Sequence, residues 1–117
     1  MNPKSYKKLV MPEDLNPAET LFGGKLLQWL DEVGVIYIYE TFREKKIVTT
    51  ELKNVYFKCS PKSGDIVEFI VSTEEERKAS VWLNVIAKNI THENNPVVIN
   101  CKIRFAFSDK LKRNELR

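Results

Sequence analysis

A proline-free, strongly apolar run from Gly23 to Phe42 is the feature that most constrains the fold of this 117-residue chain. The run is rich in leucine and isoleucine and is too long for one strand, so it predicts an α-helix. A helix of that length spans about 30 Å, which is long for so small a protein. Its apolar side chains occupy nearly the whole helical wheel, so we expect the rest of the chain to cover most of it. The narrow polar strip consists of Lys25, Gln28, Glu32 and Arg43.

In four segments after the helix, the spacing of the apolar residues no longer follows the helical period. They are rich in β-branched and aromatic residues and several alternate, so each predicts a strand. A short strand is also expected before the helix. The connections are short and polar, which favours antiparallel neighbours. The five expected strands are residues 5–11, 46–57, 65–75, 79–90 and 96–107.

The helix and the strands are segregated along the chain rather than alternating. This order predicts an α+β protein in which an antiparallel five-stranded sheet packs on one long helix. The length and the 43% apolar content suit a single folded domain, expected over residues 1–117. The sequence shows no secretory leader pattern, and its most apolar run falls short of a membrane span. We therefore expect a cytoplasmic protein with no membrane partner.

Charge and cysteine usage disfavour several functions. The formal net charge is +3 and the basic residues are scattered, which does not fit a dedicated nucleic-acid binder. Cys59 and Cys101 lie far apart without neighbouring histidines, so we expect no metal site and no cofactor. The single histidine, His92, falls in a turn between two expected strands. Hydrolysis by a Ser–His or Cys–His pair is therefore not expected.

Asp31 lies off the polar strip of the helix. Its neighbours on the wheel are Gly24, Leu27, Val35 and Ile38. A carboxylate on such a surface can form a structural hydrogen bond with a neighbouring loop or subunit. It can equally act as a general base or nucleophile, and the residues alone leave both roles open.

Gly23 and Gly24 stand at the expected helix start. Glycine there lets a ligand approach the first free amides, where the positive end of the helix dipole would stabilise a carbonyl oxygen that gains negative charge. Alternatively, the two glycines serve only to form a sterically permissive turn before the helix. Gly24 and Asp31 face the same way but lie about 10 Å apart along the axis. If both act on one carbonyl, they must come from two antiparallel helices, which favours a dimer.

The combined spacing of these residues resembles the hotdog-fold acyl-CoA thioesterases of the bacterial short-chain and brain acyl-CoA hydrolase type. The similarity covers residues 10–109. Its motif is a Pro-x-Asp loop, an asparagine, a Phe-Gly-Gly helix start and an aspartate seven residues after the second glycine. Thr49, Phe57 and the Gly64–Asp65 pair are also in register. The motif positions are Pro12, Asp14, Asn16, Phe22, Gly23, Gly24 and Asp31.

This resemblance implies a hotdog fold, catalytic homodimers that often assemble as hexamers of three dimers, and hydrolysis of acyl-CoA. It implies that Asp31 is the general base or nucleophile and that Asn16 positions water or substrate. The Gly23 and Gly24 amides would polarise the thioester carbonyl. The asparagine and aspartate of one site would come from different chains. The expected substrate-binding residues are Phe22, Thr20, Ser80, Arg77 and Lys62.

Some assignments stay open. Ser80 either contacts substrate or points outward from its strand. Glu19 and Arg77 stand where the family commonly has glycine, which puts an anion near the substrate loop and a cation on a hairpin. Two other functions remain: a non-catalytic hotdog module that binds acyl-CoA or another acyl carrier, and a structural oligomerisation domain. Further candidates for the CoA phosphates are Lys58, Lys78, Lys110, Lys112 and Arg113.

Overall fold

The computed structural model describes residues 3–108. The helix α1 spans Gly23–Phe42, the bounds predicted from the apolar run, and a short 3-10 helix at Pro12–Asp14 precedes it. No helix within the described range combines the length and apolar character needed to cross a membrane. Residues 1–2 and 109–117 of the expected domain lie outside the described residues, and they include Lys110, Lys112 and Arg113. The strands are β1 (Lys4–Leu9), β2 (Ile47–Lys53), β3 (Ile66–Glu76), β4 (Ser80–Asn89) and β5 (Val97–Phe107).

The five strands form one antiparallel sheet in the order β1-β3-β4-β5-β2. The hairpins β3–β4 and β4–β5 form its centre, and β1 and β2 are its edges. The helix α1 packs on one face of this sheet. The predicted α+β architecture, one long helix on a five-stranded antiparallel sheet, is therefore confirmed.

The strand expected at residues 46–57 ends early. β2 stops at Lys53, and the next residue, Asn54, has φ 57°. This left-handed conformation interrupts the extended backbone. The chain returns to the sheet at Phe57, which bridges Ile99 of β5. The excursion brings Phe57 to the start of α1.

The core lies between α1 and the inner face of the sheet. Gly34 permits their close approach, because a Cβ there would lie 2.8 Å from Cε2 of the buried Phe105. The Tyr37 hydroxyl forms a 2.8 Å hydrogen bond with Thr73 Oγ1. These contacts fix the rotation of α1 about its axis. They also leave the side of the helix that carries Val35 and Ile36 facing away from the sheet.

The sheet covers only one side of α1. On the opposite side, Val35, Ile36 and Tyr39 are 37%, 46% and 39% exposed, and Asp31 lies on the same open face. The neighbouring edge strand β2 exposes Val48 to a similar extent. An exposed apolar surface of this kind is typical of an interaction site.

Candidate functional site

The helix α1 begins without a side-chain cap. Phe22 is its N-cap residue, and no side chain caps its first turn. The amides of Lys25 and Leu26 donate to the Phe22 carbonyl at 3.0 and 3.1 Å. Within residues 3–108, no hydrogen bond uses the amides of Gly23 or Gly24. Both N–H groups can therefore donate to a ligand.

Steric proximity, not backbone conformation, explains Gly24, whereas Gly23 has room for a Cβ at ordinary contact distance. Of the four glycines in the chain, only Gly64 has a positive φ. A Cβ at Gly24 would lie 2.7 Å from Phe22 Cε2, and a Cβ at Gly23 would lie 3.5 Å from Phe57 Cζ. Both aromatic rings are more than half exposed. The helix start is therefore a pair of bare amides flanked by apolar rings.

Asn16 organises the loop that leads into α1. Its Oδ1 accepts hydrogen bonds from the amides of Ala18 and Thr20 at 2.9 and 3.1 Å, and its Nδ2 donates to Thr20 Oγ1 at 3.1 Å. Such asparagine-centred turns rigidify short loops. The Asn16 amide keeps a second N–H available for a ligand.

Glu19 occupies a strained position in the same loop. Its φ is 65°, in the left-handed region where a Cβ costs about 1–2 kcal/mol. Glycine adopts this conformation without that cost. The backbone therefore accounts for the glycine that the thioesterases named above commonly have at this position.

We expect the Glu19→Gly substitution to raise the free energy of unfolding by about 0.5–1 kcal/mol. The relief of strain exceeds the added freedom of the unfolded chain. Urea denaturation measures the change. The matched control is Glu19→Ala, which removes the charge but keeps the Cβ and should gain no comparable stability. Equal stability of the two variants would contradict the assignment of strain.

Asp31 lies two turns after Gly24, and its carboxylate is held by Thr49. The Thr49 hydroxyl donates to Asp31 Oδ1 at 2.5 Å. Thr49 belongs to β2, beside a register shift between Thr49 and Glu51 that marks a bulge. Bulges of this type redirect side chains next to functional sites. Thr49 was not among the predicted site residues, although its register with the motif was a usable signal.

Asp14 connects the loop to the helix start. Its Oδ2 accepts from the Met11 amide at 2.9 Å, and its carbonyl accepts from the Phe22 amide at 2.9 Å. Lys25 Nζ lies 3.7 Å from Asp14 Oδ1. This motif aspartate is therefore a structural residue. A shallow cavity of about 370 Å³ beside it is lined by Glu13, Asp14, Leu15, Phe22, Gly24, Lys25 and Gln28.

Apart from Asp31, which lies in the middle of α1, the predicted site residues form two groups at opposite ends of this helix. Ser80 and Arg77 lie at the β3–β4 turn, beside the C-terminal end of α1. Arg77 Nε donates to Glu75 Oε2 at 3.0 Å, and Ser80 is only 4% exposed. Ser80 alternates with the core residues Val81 and Leu83 of β4, and its contact with substrate stays a prediction. The N-terminal group comprises Asn16, Thr20, Phe22, Gly23, Gly24 and Lys62; Leu21 N and Pro61 O join its two segments at 2.8 Å.

Asp65 forms a hydrogen-bonded cluster near Lys62. Its Oδ2 accepts from the Lys62 amide at 2.8 Å and from Asn89 Nδ2 at 3.0 Å, and its Oδ1 accepts from Thr91 Oγ1 at 3.1 Å. Burial disfavours the charged form. The hydrogen bonds and the nearby His92 ring outweigh burial and hold the pKa of the Asp65 carboxyl below its ordinary value.

We expect the Asp65→Asn substitution to lower the free energy of unfolding by about 1–3 kcal/mol at neutral pH, because an amide cannot accept from all three donors. Because the pKa of Asp65 is lower in the folded than in the unfolded state, its ionised carboxylate stabilises the fold above the unfolded pKa of 3.8. This stabilisation is lost as the pH falls through the folded-state pKa. The difference from wild type should therefore narrow below about pH 4. Urea denaturation across pH measures it. A pH-independent difference would contradict this role, and Glu93→Gln is the control on the same hairpin.

The cysteines do not form a reactive or metal-binding centre. Burial raises the pKa of Cys101 to about 11. Burial, followed by the charge of Asp65, also raises the pKa of Cys59, whose Sγ donates to the Val97 carbonyl at 3.3 Å. Protonated thiols are poor nucleophiles and poor ligands. Among residues 3–108, no group of three or more histidine, cysteine or acidic side chains is placed to hold a metal ion.

Comparison with known proteins gives one family match. The model of the thioesterase superfamily matches residues 18–94, from the loop before α1 to the turn after β4. No curated protein sequence matches the chain.

Solved structures share the fold at low sequence identity. An acyl-CoA hydrolase from Staphylococcus aureus, solved with butyryl coenzyme A, coenzyme A and coenzyme A disulfide, aligns with a TM-score of 0.77 and 21% identity. The alignment covers 96% of this chain and 65% of that enzyme, so the chain spans less than two thirds of its length. A hexameric thioesterase from Yersinia pestis aligns with a TM-score of 0.79 and 20% identity, covering 86% and 83%. The expected hotdog fold is confirmed.

Proposed function

Because this chain belongs to the thioesterase superfamily, we propose that it is an acyl-CoA thioesterase, which hydrolyses acyl-CoA to free CoA and a carboxylic acid. One observation carries the proposal: the amides of Gly23 and Gly24, which no hydrogen bond uses within residues 3–108, begin the helix whose open face carries the Thr49-bound carboxylate of Asp31. Hydrolysis needs amide donors that stabilise negative charge on the carbonyl oxygen and a carboxylate that activates the attacking water.

One fold relative has been studied through variants of three residue types that also occur at the candidate site here: asparagine, aspartate and threonine. The Staphylococcus aureus acyl-CoA hydrolase has been solved as alanine variants of an asparagine, an aspartate and a threonine. Its asparagine and aspartate are fifteen positions apart, as are Asn16 and Asp31 here. Its threonine follows the aspartate by seventeen positions, and Thr49 follows Asp31 here by eighteen. This agreement favours a catalytic role for the residues that the motif identified.

In the proposed mechanism, the thioester carbonyl oxygen accepts hydrogen bonds from the amides of Gly23 and Gly24. Attack on the carbonyl carbon places negative charge on that oxygen, and the helix N-terminus stabilises the charge more strongly than it stabilises the neutral carbonyl. The rings of Phe22 and Phe57 limit water on the flanks of the site. The electron pair of the breaking C–S bond leaves with sulfur as CoA thiolate, which then takes up a proton.

Asp31 activates the nucleophile. Thr49 occupies its Oδ1, and within residues 3–108 no hydrogen bond uses its Oδ2. This oxygen can take a proton from the attacking water, or attack the carbonyl itself and form an anhydride. A single turnover in oxygen-18 water distinguishes the two routes, because only the anhydride route places label in the Asp31 carboxylate.

The active unit is a homodimer in this proposal. One carbonyl cannot contact Gly24 and Asp31 of the same helix, since these residues lie about 10 Å apart along it. Two antiparallel α1 helices, joined through their exposed apolar faces, bring Asp31 of one copy to the amides of the other. The same arrangement brings the β3–β4 turn, with Arg77 and Ser80, towards the helix start of the second copy. Two of the fold relatives are hexameric, and three such dimers would form a hexamer.

A panel of acyl-CoA substrates with a thiol reagent tests the activity. We expect free CoA to be released from at least one acyl chain length. Tight acyl-CoA binding without turnover would support a non-catalytic binding module instead. Absence of any CoA affinity in calorimetry would support a structural oligomerisation domain. Either result would contradict the proposed enzyme.

A further inference from the structure

We propose that Glu19 of one chain forms an ion pair with Arg43 and Lys45 of a second copy of this chain. The inference rests on the homodimer of the proposed function and identifies a contact that holds its two chains in register. Glu19 precedes α1, whereas Arg43 and Lys45 follow its last turn. Opposite charges at the two ends of α1 favour a second, antiparallel copy as the partner of its open face.

Two cations converge on Tyr39 at the C-terminal end of this open face. The guanidinium carbon of Arg43 and the Nζ of Lys45 each lie 5.5 Å from the centre of the Tyr39 ring. Arg43 is the C-cap residue of α1, with φ 58°, and the Tyr39 ring is partly exposed. Contact with an aromatic ring holds a cation in place without neutralising its charge. Arg43 and Lys45 are called the cation pair below.

The fold of the single chain leaves the cation pair available to a carboxylate. None of the ion pairs between residues 3–108 engages Arg43 or Lys45. Glu40, the residue after Tyr39, already accepts a hydrogen bond from the Tyr6 hydroxyl and lies 3.8 Å from the Nζ of Lys4. Two like charges beside each other repel, so a carboxylate supplied by another chain is attracted to both.

Glu19 lies at the tip of a hairpin-like loop that leads into α1. Leu15 bridges Leu21 across this loop, and the Glu19 amide donates to the Asn16 carbonyl at 2.9 Å. The tip, residues 17–19, is exposed. In the described part of the chain, the Glu19 carboxylate takes part in no ion pair and no side-chain hydrogen bond. It can therefore contact a second chain.

Antiparallel packing of two α1 helices places the loop tip beside the cation pair. In the proposed dimer, Asp31 of one chain lies beside Gly23 of the other, and the loop before one helix then runs beside the C-terminal half of its partner. Tyr39 lies about 12 Å beyond Asp31 along the axis. The four residues from Glu19 to Gly23 span at most about 14 Å. Packed helices have axes about 8–10 Å apart, which a glutamate and an arginine side chain span together.

The ion pair gives the strained Glu19 a role that glycine cannot fill. Glycine relieves the strain at φ 65° but supplies no carboxylate. Because the Glu19 amide donates to the Asn16 carbonyl, the contact also holds the Asn16 turn beside the helix that supplies Asp31. Glu19→Gly and Glu19→Ala both lose the carboxylate, so a comparison of their unfolding stabilities still isolates the backbone strain.

Charge reversal tests the contact. One variant carries Glu19→Lys, and the other carries Arg43→Glu and Lys45→Glu together. A two-fold dimer contains the contact twice, so each variant alone should dimerise about tenfold more weakly than wild type in sedimentation equilibrium. Glu93→Lys is the matched control, because it changes the net charge equally on the exposed β4–β5 turn. It should leave the dissociation constant unchanged.

A mixture of the two variants distinguishes pairing between chains from pairing within one chain. In the mixed dimer both contacts join opposite charges, whereas in either homodimer both contacts join like charges. If each homodimer is about tenfold weaker than the mixed dimer, about nine-tenths of the dimers should be mixed, against about half for random association. Native mass spectrometry counts the three species.

Unchanged dissociation constants for both variants would overturn the proposal, and so would a mixture in which only about half of the dimers are mixed. Lys45→Glu alone lies beyond the end of α1 and cannot disturb the helix C-terminus as Arg43→Glu could. It should weaken the dimer about threefold, and wild-type affinity would contradict the contact.

None of these measurements needs turnover, so the contact and the enzyme can fail separately. A protein with the expected pairing preference that hydrolyses no acyl-CoA would refute the proposed enzyme while supporting the contact. An active thioesterase whose two variants mix at random would refute the contact alone.

Discussion

The Asp31→Ala variant is expected to hydrolyse acyl-CoA about 10²–10⁴ times more slowly than wild type, the usual contribution of a positioned general base. The Asp31 carboxylate is exposed and accepts one hydrogen bond from the residues that the structure describes, that of Thr49, so its removal leaves the core intact. The defect should therefore appear in kcat at saturating substrate. Release of free CoA, followed with a thiol reagent, measures it.

Glu32→Ala is the matched control for this substitution. Glu32 is the next carboxylate on α1, is also exposed, and accepts only from Gln28 at 3.0 Å among the hydrogen bonds of the described residues. We expect its loss to leave kcat near the wild-type value. The melting temperatures of both variants should remain close to that of wild type, since exposed positions contribute little to stability. Full activity in folded Asp31→Ala would refute the mechanism.

The fold could be predicted because its signals are local and agree with one another. The apolar run without proline defines α1 at Gly23–Phe42, and β-branched alternation defines the strands. The early end of β2 was not predictable, because it depends on the positive φ of Asn54. Asparagine tolerates that conformation without requiring it, so the sequence carries no decisive signal. Glu19 is a similar case, since only the backbone shows why glycine suits its position.

The candidate site could be predicted where its residues are close in sequence. The segment from Asn16 to Gly24 forms one loop and one helix start, so its parts lie together in any compact fold. The contact of Thr49 with Asp31 joins two elements and depends on a bulge that the sequence does not mark. Arg77 lies at the opposite end of α1 from these residues. Because the resemblance implies a site shared by two chains, Arg77 of one chain would lie near the helix start of the other.

A mixture of two inactive variants, Asp31→Ala and Gly23→Pro, should regain activity if each site draws on two chains. Gly23→Pro removes one of the carbonyl-binding amides, and loss of such a donor costs about 10²–10³ in kcat. Proline suits this position because it is the first of the helix, Phe22 has ψ 129°, and a Cβ at Gly23 meets Phe57 at an ordinary 3.5 Å. The substitution therefore removes the donor without disturbing the helix.

Denaturing the two variants together and refolding them makes about half of the dimers mixed. A mixed dimer then has one site with both defects and one site with none, so the pool should reach about a quarter of the wild-type rate. The same proteins combined without refolding, and the doubly substituted chain refolded alone, should stay inactive. If the Asp31 carboxylate and the Gly23 amide instead served one site within a single chain, every site in the mixed pool would keep one defect. Activity no higher than that of either parent would then exclude the two-chain active site.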